Sequence, residues 1–180
     1  MGQGVYLESP AYRLKAEEAR FNQREALLKG FLATPCPCGE DVRLSMGEAR
    51  FDVATGELVG EASLGLWNLE IPIGEARANA DFKGLRAERA LALFAEEVVV
   101  LKGKVQADSP RLQAETLVVD LKGREALALG SFTYQEGKAT LRGQGASARL
   151  HLRFQSGKVL ASTRVPEGAL RLVAYASRLP

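Results

Sequence analysis

One two-part motif returns along the chain five times, and a repeat this regular restricts the fold more than any single residue does. Its first part reads Leu-x-small-x-x-apolar-x-apolar, with Met46 standing in the small position of the second copy. The copies are Leu14, Ala16, Ala19, Phe21; Leu44, Met46, Ala49, Phe51; Leu85, Ala87, Ala90, Ala92; Leu112, Ala114, Leu117, Val119; and Leu141, Gly143, Ala146, Ala148. The second part is an apolar run broken by one glycine, at Gly30, Gly60, Gly103 and Gly130, which follow their leucines by 16, 16, 18 and 18 residues. Ser162 takes roughly that place in the fifth copy. A unit of about 30 residues that cannot bury its own apolar face must stack on its neighbours.

Within the first part, two apolar pairs each alternate with period two, and one extra residue separates them. Plain alternation would turn the second pair to the opposite face, so the spacing predicts a bulge or tight bend that restores the register and points all four side chains inward. Turns follow at Asn22-Gln23-Arg24-Glu25, Asp52-Val53-Ala54-Thr55-Gly56 and Asp120-Leu121-Lys122-Gly123, where a short Asn or Asp side chain caps the bend. A glycine inside each return strand marks a bend or a close backbone approach. The expected result is all-β: five hairpins in one long, curved sheet.

A helical reading competes at 12–29 and at 85–97, the second being rich in Ala, Leu, Arg and Glu. Val98-Val99-Val100, Leu117-Val118-Val119 and Leu150-His151-Leu152-Arg153-Phe154 have strand composition and carry the same motif, which extends the strand assignment to both segments.

An apolar fraction of 46% with 26% charged residues fits a globular chain of 180 residues. The 24 Lys and Arg against 22 Asp and Glu are interspersed, and no basic stripe with aromatics points to nucleic acid. No run of about 20 apolar residues offers a bilayer span. The start, Met1-Gly2-Gln3-Gly4, lacks the basic and apolar regions of an export signal. The interval between first-part leucines widens to 41 residues between Leu44 and Leu85, around Pro72 and Gly74. The expected organisation is a single domain over 1–180, with lobes 1–74 and 85–180 joined by a hinge at 74–84.

Little of the chain carries chemistry. The one histidine, His151, lies in an alternating run and reads as a satisfied strand residue. Cys36 and Cys38, with this distant histidine, supply too few ligands for zinc, and a disulfide between residues two apart is strained. The carboxylates at Glu17, Glu18, Glu88, Glu96 and Glu97 read as a solvated face. No nucleophile elbow or phosphate loop is present. The expectation is a protein that is not an enzyme and uses no cofactor and no metal.

The segments 14–22, 44–52 and 112–120, each followed by an apolar-glycine strand such as Leu101-Lys102-Gly103-Lys104-Val105, resemble the OstA-like domain family of lipopolysaccharide transport. The resemblance covers about residues 12–165. It implies an elongated, twisted, V-shaped β-jelly roll in the periplasm or cell envelope. Its inner trough would take acyl chains of a lipopolysaccharide-like glycolipid, and its edge strands would pair with like domains. The residues expected to line that trough are Leu14, Phe21, Leu44, Met46, Phe51, Leu112, Leu117, Val119 and Leu141, with Trp67 near a mouth where its N–H meets water. The small inner positions leave room for a guest or equally allow close packing. The competing expectation is a structural β-solenoid scaffold or adhesion domain with a filled core; a sugar-modifying jelly-roll enzyme would need histidine or metal chemistry.

Overall fold

The computed structural model describes residues 5–9, 12–21, 25–35, 43–52, 57–60, 67–71, 82–93, 96–108, 111–136, 138–155 and 158–179, with side chains at 15–16, 50–52, 85–93, 96–108, 111–136, 138–154 and 159–179. The strands are β1 (Val5–Ser9), β2 (Tyr12–Phe21), β3 (Glu25–Pro35), β4 (Arg43–Asp52), β5 (Glu57–Gly60), β6 (Trp67–Ile71), β7 (Phe82–Ala87), β8 (Arg89–Leu93), β9 (Val98–Asp108), β10 (Arg111–Asp120), β11 (Glu125–Glu136), β12 (Ala139–Gly143), β13 (Arg149–Gln155) and β14 (Lys158–Ser162). A 3-10 helix, Glu167–Leu172, runs into a short helix α1, Val173–Ala176. The fold is all-β, and the ambiguous segment is strand at 85–87, in β7, and at 89–93, in β8.

The fourteen strands among the described residues belong to one antiparallel sheet, in the order β1-β2-β3-β4-β5-β8-β9-β10-β11-β13-β14. β6 joins β4 to β7, and β12 pairs with β11. The ladders β5 to β8 and β6 to β7 carry the hydrogen bonding from the first two hairpins to the last three. Most of the expected hinge, like Cys36 and Cys38, lies outside the described residues.

The expected bulge is present. Between Ala114 and Thr116 the register of β10 slips by one residue against both neighbours, so that Glu115 faces Gly103 and Lys104 on one side and Gly130 and Ser131 on the other. Gly103 and Gly130 have φ of +83° and +84°, a region open to glycine at little cost. The same line crosses Glu88, between β7 and β8, whose N–H donates to the Gly103 carbonyl at 3.0 Å. It then passes Ala148, just before β13, whose carbonyl accepts from the Gly130 N–H at 3.0 Å. Bulges aligned across strands bend a sheet, and this row divides it into two arms. The first holds β7, β12 and the facing halves of β9, β10 and β11; the second holds β8, β13 and the other halves.

The inner faces of both arms share one core. Leu85, Val105, Leu112 and Phe132 from the first arm and Leu101, Leu117, Val119 and Leu150 from the second are buried in the same cluster, which also takes in Ala16 and Phe51. The fifth copy departs from the expected strand. β12 ends at Gly143, residues 145–147 turn at a Gly145 with φ of +92°, and Ala146 is exposed. Leu141 and Ala148 still pack against the core margin.

The arms differ outside. In the first arm β10 alternates exposed Arg111, Gln113 and Glu115 with buried Leu112 and Ala114. In the second arm Val118 and Asp120, on the outer face, are buried as well. The cover is the C-terminal segment: Leu172, Ala176 and Leu179 pack on Leu91, Leu93, Val98, Val100, Val118 and Leu127. Among the described residues no helix is long and apolar enough to cross a membrane, which says nothing of strands.

Candidate functional site

The strand register brings the motif positions into rows across the sheet. One row begins Leu14–Ala33–Leu44–Leu69–Leu85, and beside the Arg86–Gln106 pair it continues Ala107–Leu112–Tyr134–Leu141. The leading leucine of every copy falls in this row. A second runs Phe21–Ala26–Phe51–Leu58–Ala92–Val99–Val119–Ala126–Leu152 and holds the last motif residue of the first four copies. Side chains directly opposite each other in antiparallel strands share a face. From Leu85 to Leu141 in the first row, and at Phe51 and from Ala92 to Leu152 in the second, a repeat of hydrophobic spacing thus becomes two apolar stripes on the inner face, at right angles to the strands.

Of the expected lining residues, Phe51, Leu112, Leu117 and Val119 have no exposed surface. Leu141 is half-buried at the end of the first row. Leu14 and Phe21 on β2, Leu44 and Met46 on β4 and Trp67 on β6 take their places in the strand ladders, and their side chains lie outside the described residues. Between the larger residues the inner face is built of Ala87, Ala90, Ala92, Ala114, Ala126 and Ala128, all buried. Alanine contributes little volume per strand crossing and lets the two arms approach closely.

The bend has its own chemistry. A Cβ at Gly103 would lie 2.8 Å from Glu88 Oε1, and the Glu115 carboxylate occupies the matching place over Gly130. Glu115 Oε2 accepts a hydrogen bond from the Ser131 N–H at 3.3 Å. The Glu that follows the small residue in the third and fourth copies is therefore seated on the glycine of the next strand. Glu88, expected only as a solvated residue, is half-buried there.

Beneath the C-terminal segment lies a polar cluster that sequence reasoning did not assemble. His151 is buried with Nε2 2.9 Å from Glu125 Oε1. Arg171, from the 3-10 helix, donates to Asp120 Oδ2 and stands 3.5 Å from Glu125 Oε2. Asp120 Oδ1 also accepts from the Gly123 N–H at 2.9 Å, the turn cap that its position before Leu121-Lys122-Gly123 predicts. Lys102 donates from Nζ to the Leu179 carbonyl, and Arg178 pairs with Glu96 at 3.4 Å. Burial, and then the positive charge of Arg89, lower the Lys102 pKa. On the inner face of the first arm, Tyr134 donates its O–H to Glu136 at 2.7 Å. Burial first, then that hydrogen bond and the Glu136 charge, raise its pKa.

Pro166 and Glu167, followed by buried Ala169, Leu172, Ala176 and Leu179 at intervals of three, four and three, form the signal that would have revealed the C-terminal cover. His151 sits as a satisfied strand residue, and no group of three metal-ligating side chains gathers among the described residues. No protein-family model matches the chain, and no curated protein matches it.

Proposed function

We propose that the chain is a non-enzymatic lipid-handling module of the cell envelope, of the OstA-like kind, with a twisted, V-shaped β-jelly roll. Its inner face takes the acyl chains of a lipopolysaccharide-like glycolipid, and its edge strands join like domains. The observation that supports this reading is the pair of apolar rows that the strand register carries across the hairpins, buried on one face wherever their side chains are described. A lipid lying along such rows keeps its chain out of water over its whole length. At about 0.8 kcal/mol per CH₂, roughly ten methylenes contribute about 8 kcal/mol, whereas an exposed ion pair to the headgroup adds about 0–1 kcal/mol. Among the described residues β1 and β14 end the sheet order with one hydrogen-bonded neighbour each, which suits extension by strand pairing.

The complete burial of Phe51, Leu112, Leu117 and Val119 favours a second reading, a structural scaffold whose core is filled by its own side chains. Under the first reading the chain enters by parting the arms along the glycine-marked bend, exchanging wall-to-wall contact for wall-to-lipid contact. Native mass spectrometry of protein gently purified from a host that makes lipopolysaccharide separates the two. Adducts of glycolipid mass that reform on adding purified lipid A support the carrier. A lipid-free protein that takes up none leaves the scaffold.

A further inference from the structure

The outer face of the first arm carries a row of the opposite character. Arg86, Gln106, Gln113, Thr133 and Arg142 pair directly across β7, β9, β10, β11 and β12. Every one is half-buried or exposed. Inner-face residues buried in the core flank all but the last in sequence: Leu85 and Ala87, Val105 and Ala107, Leu112 and Ala114, Phe132 and Tyr134. The backbone register carries the row on to Asn68 and Ser45. Toward its β12 end the row opens into a cleft of about 570 Å³, walled by Gln113, Glu115, Ser131, Thr133, Arg142 and Gln144. Arg86 is held in place at one end, donating to Gln106 Oε1 at 3.0 Å and to both Asp108 oxygens at 3.2 Å. At the other end Arg142 makes no ion pair or side-chain hydrogen bond among the described residues, and it forms part of the cleft wall.

We infer that this row is a binding site for a linear polysaccharide bearing an acidic substituent, with the sugars lying across the strands and the acidic group on Arg142. Three features carry the assignment. Strands lie about 4.8 Å apart, close to the length of one pyranose unit in an extended chain, so each strand crossing offers one side chain per sugar. The five crossings span about 19 Å on that spacing. Carboxamides, hydroxyls and guanidinium groups supply paired donors and acceptors that match neighbouring sugar hydroxyls. The middle of the row is uncharged, which disfavours a polyphosphate backbone needing a cation at nearly every step. A peptide, in turn, would seek an unpaired strand edge or apolar pockets, and this is the paired interior of a sheet. The Arg142 fork, unpaired among the described residues, fits one carboxylate or phosphate, held by two parallel hydrogen bonds.

The test is a ¹⁵N–¹H NMR titration of the full chain with a β-1,4-linked glucose hexasaccharide carrying a single terminal uronate, with inorganic phosphate and uncharged cellohexaose as separate arms. The account expects saturable shifts in the Gln106 and Gln113 side-chain amides and in backbone residues 131–133 and 142–145, with cellohexaose binding more weakly at the same positions. Arg142→Gln should weaken binding of the uronate-bearing hexasaccharide roughly tenfold, the scale of one hydrogen bond to a charged group. Thr133→Val, which keeps the side-chain shape, should weaken both sugars alike. Phosphate alone reproducing the shifts, or no saturable shift with either hexasaccharide at millimolar concentration, overturns the proposal.

Discussion

The carboxylate of Glu115 lies over Gly130, in the space where any other residue would place its Cβ. Glu88 stands in the same relation to Gly103. This contact explains why the two halves of the repeat keep their distance: the residue after the small position of one strand needs a glycine on the next. The bend of the sheet depends on both.

Gly130→Ala should therefore destabilise the chain by about 1–2 kcal/mol from the positive φ alone, with an added cost from displacing Glu115. Urea denaturation of Gly130→Ala, Glu115→Ala and the double variant separates the terms. The double variant should recover the displacement cost and keep the backbone cost. Equal losses in all backgrounds would mean that the carboxylate does not matter to the bend.

Leu117 meets the core from the middle of β10 with no exposed surface. In a filled core Leu117→Ala should cost about 2–5 kcal/mol. Thermal melts with and without lipid A show how that core is used. A lipid carrier should lose less of its stability to this substitution when lipid is present, whereas a pure scaffold should show the same loss in both conditions.

The C-terminal cover depends on Arg171 and Leu172. Arg171→Ala removes a charged partner from buried Asp120 and should cost about 1–3 kcal/mol. Leu172→Asp places an unpaired charge on Leu91, Val100, Val118 and Leu127 and should detach the segment. Hydrogen exchange should then accelerate in 167–179 and in the outer-face amides of β9 and β10 while β2 and β3 stay unchanged. Uniform acceleration everywhere would show that the segment is integral to global folding rather than a cover.

Tyr134 gives a pH signature. Its pKa is raised in the folded chain by burial and by Glu136, so folding favours the protonated phenol. That contribution is complete below the unfolded tyrosine value of about 10 and declines as pH rises above it. Stability measured from about pH 9 to 11 should fall more steeply in the natural chain than in Tyr134→Phe. Parallel slopes would remove Tyr134 from the linkage.

How far the sequence could be read depends on which interactions repeat. Leu112, Ala114, Leu117 and Val119 announce one inward face and one slipped residue, and the bulge at Glu115 lies where their spacing puts it. The glycines were legible as bends, but their carboxylate partners were not, because Glu88 and Glu115 look like ordinary solvated residues until the next strand is placed. His151 and Glu125 are 26 residues apart and meet only through the β11 to β13 ladder. The polar row from Arg86 to Arg142 was invisible for the same reason: each member belongs to a different strand, and only the register aligns them. The fifth copy misled, since Gly145 turns the chain where the motif asks for a strand.

The most direct test of the carrier reading is contact between acyl chain and inner wall. Methyl-labelled Leu112, Leu117 and Val119, mixed with a perdeuterated-protein background and protonated lipid A, should show intermolecular nuclear Overhauser effects to acyl methylene protons. Their absence, with those methyls seeing only one another while lipid remains in solution, would contradict the account.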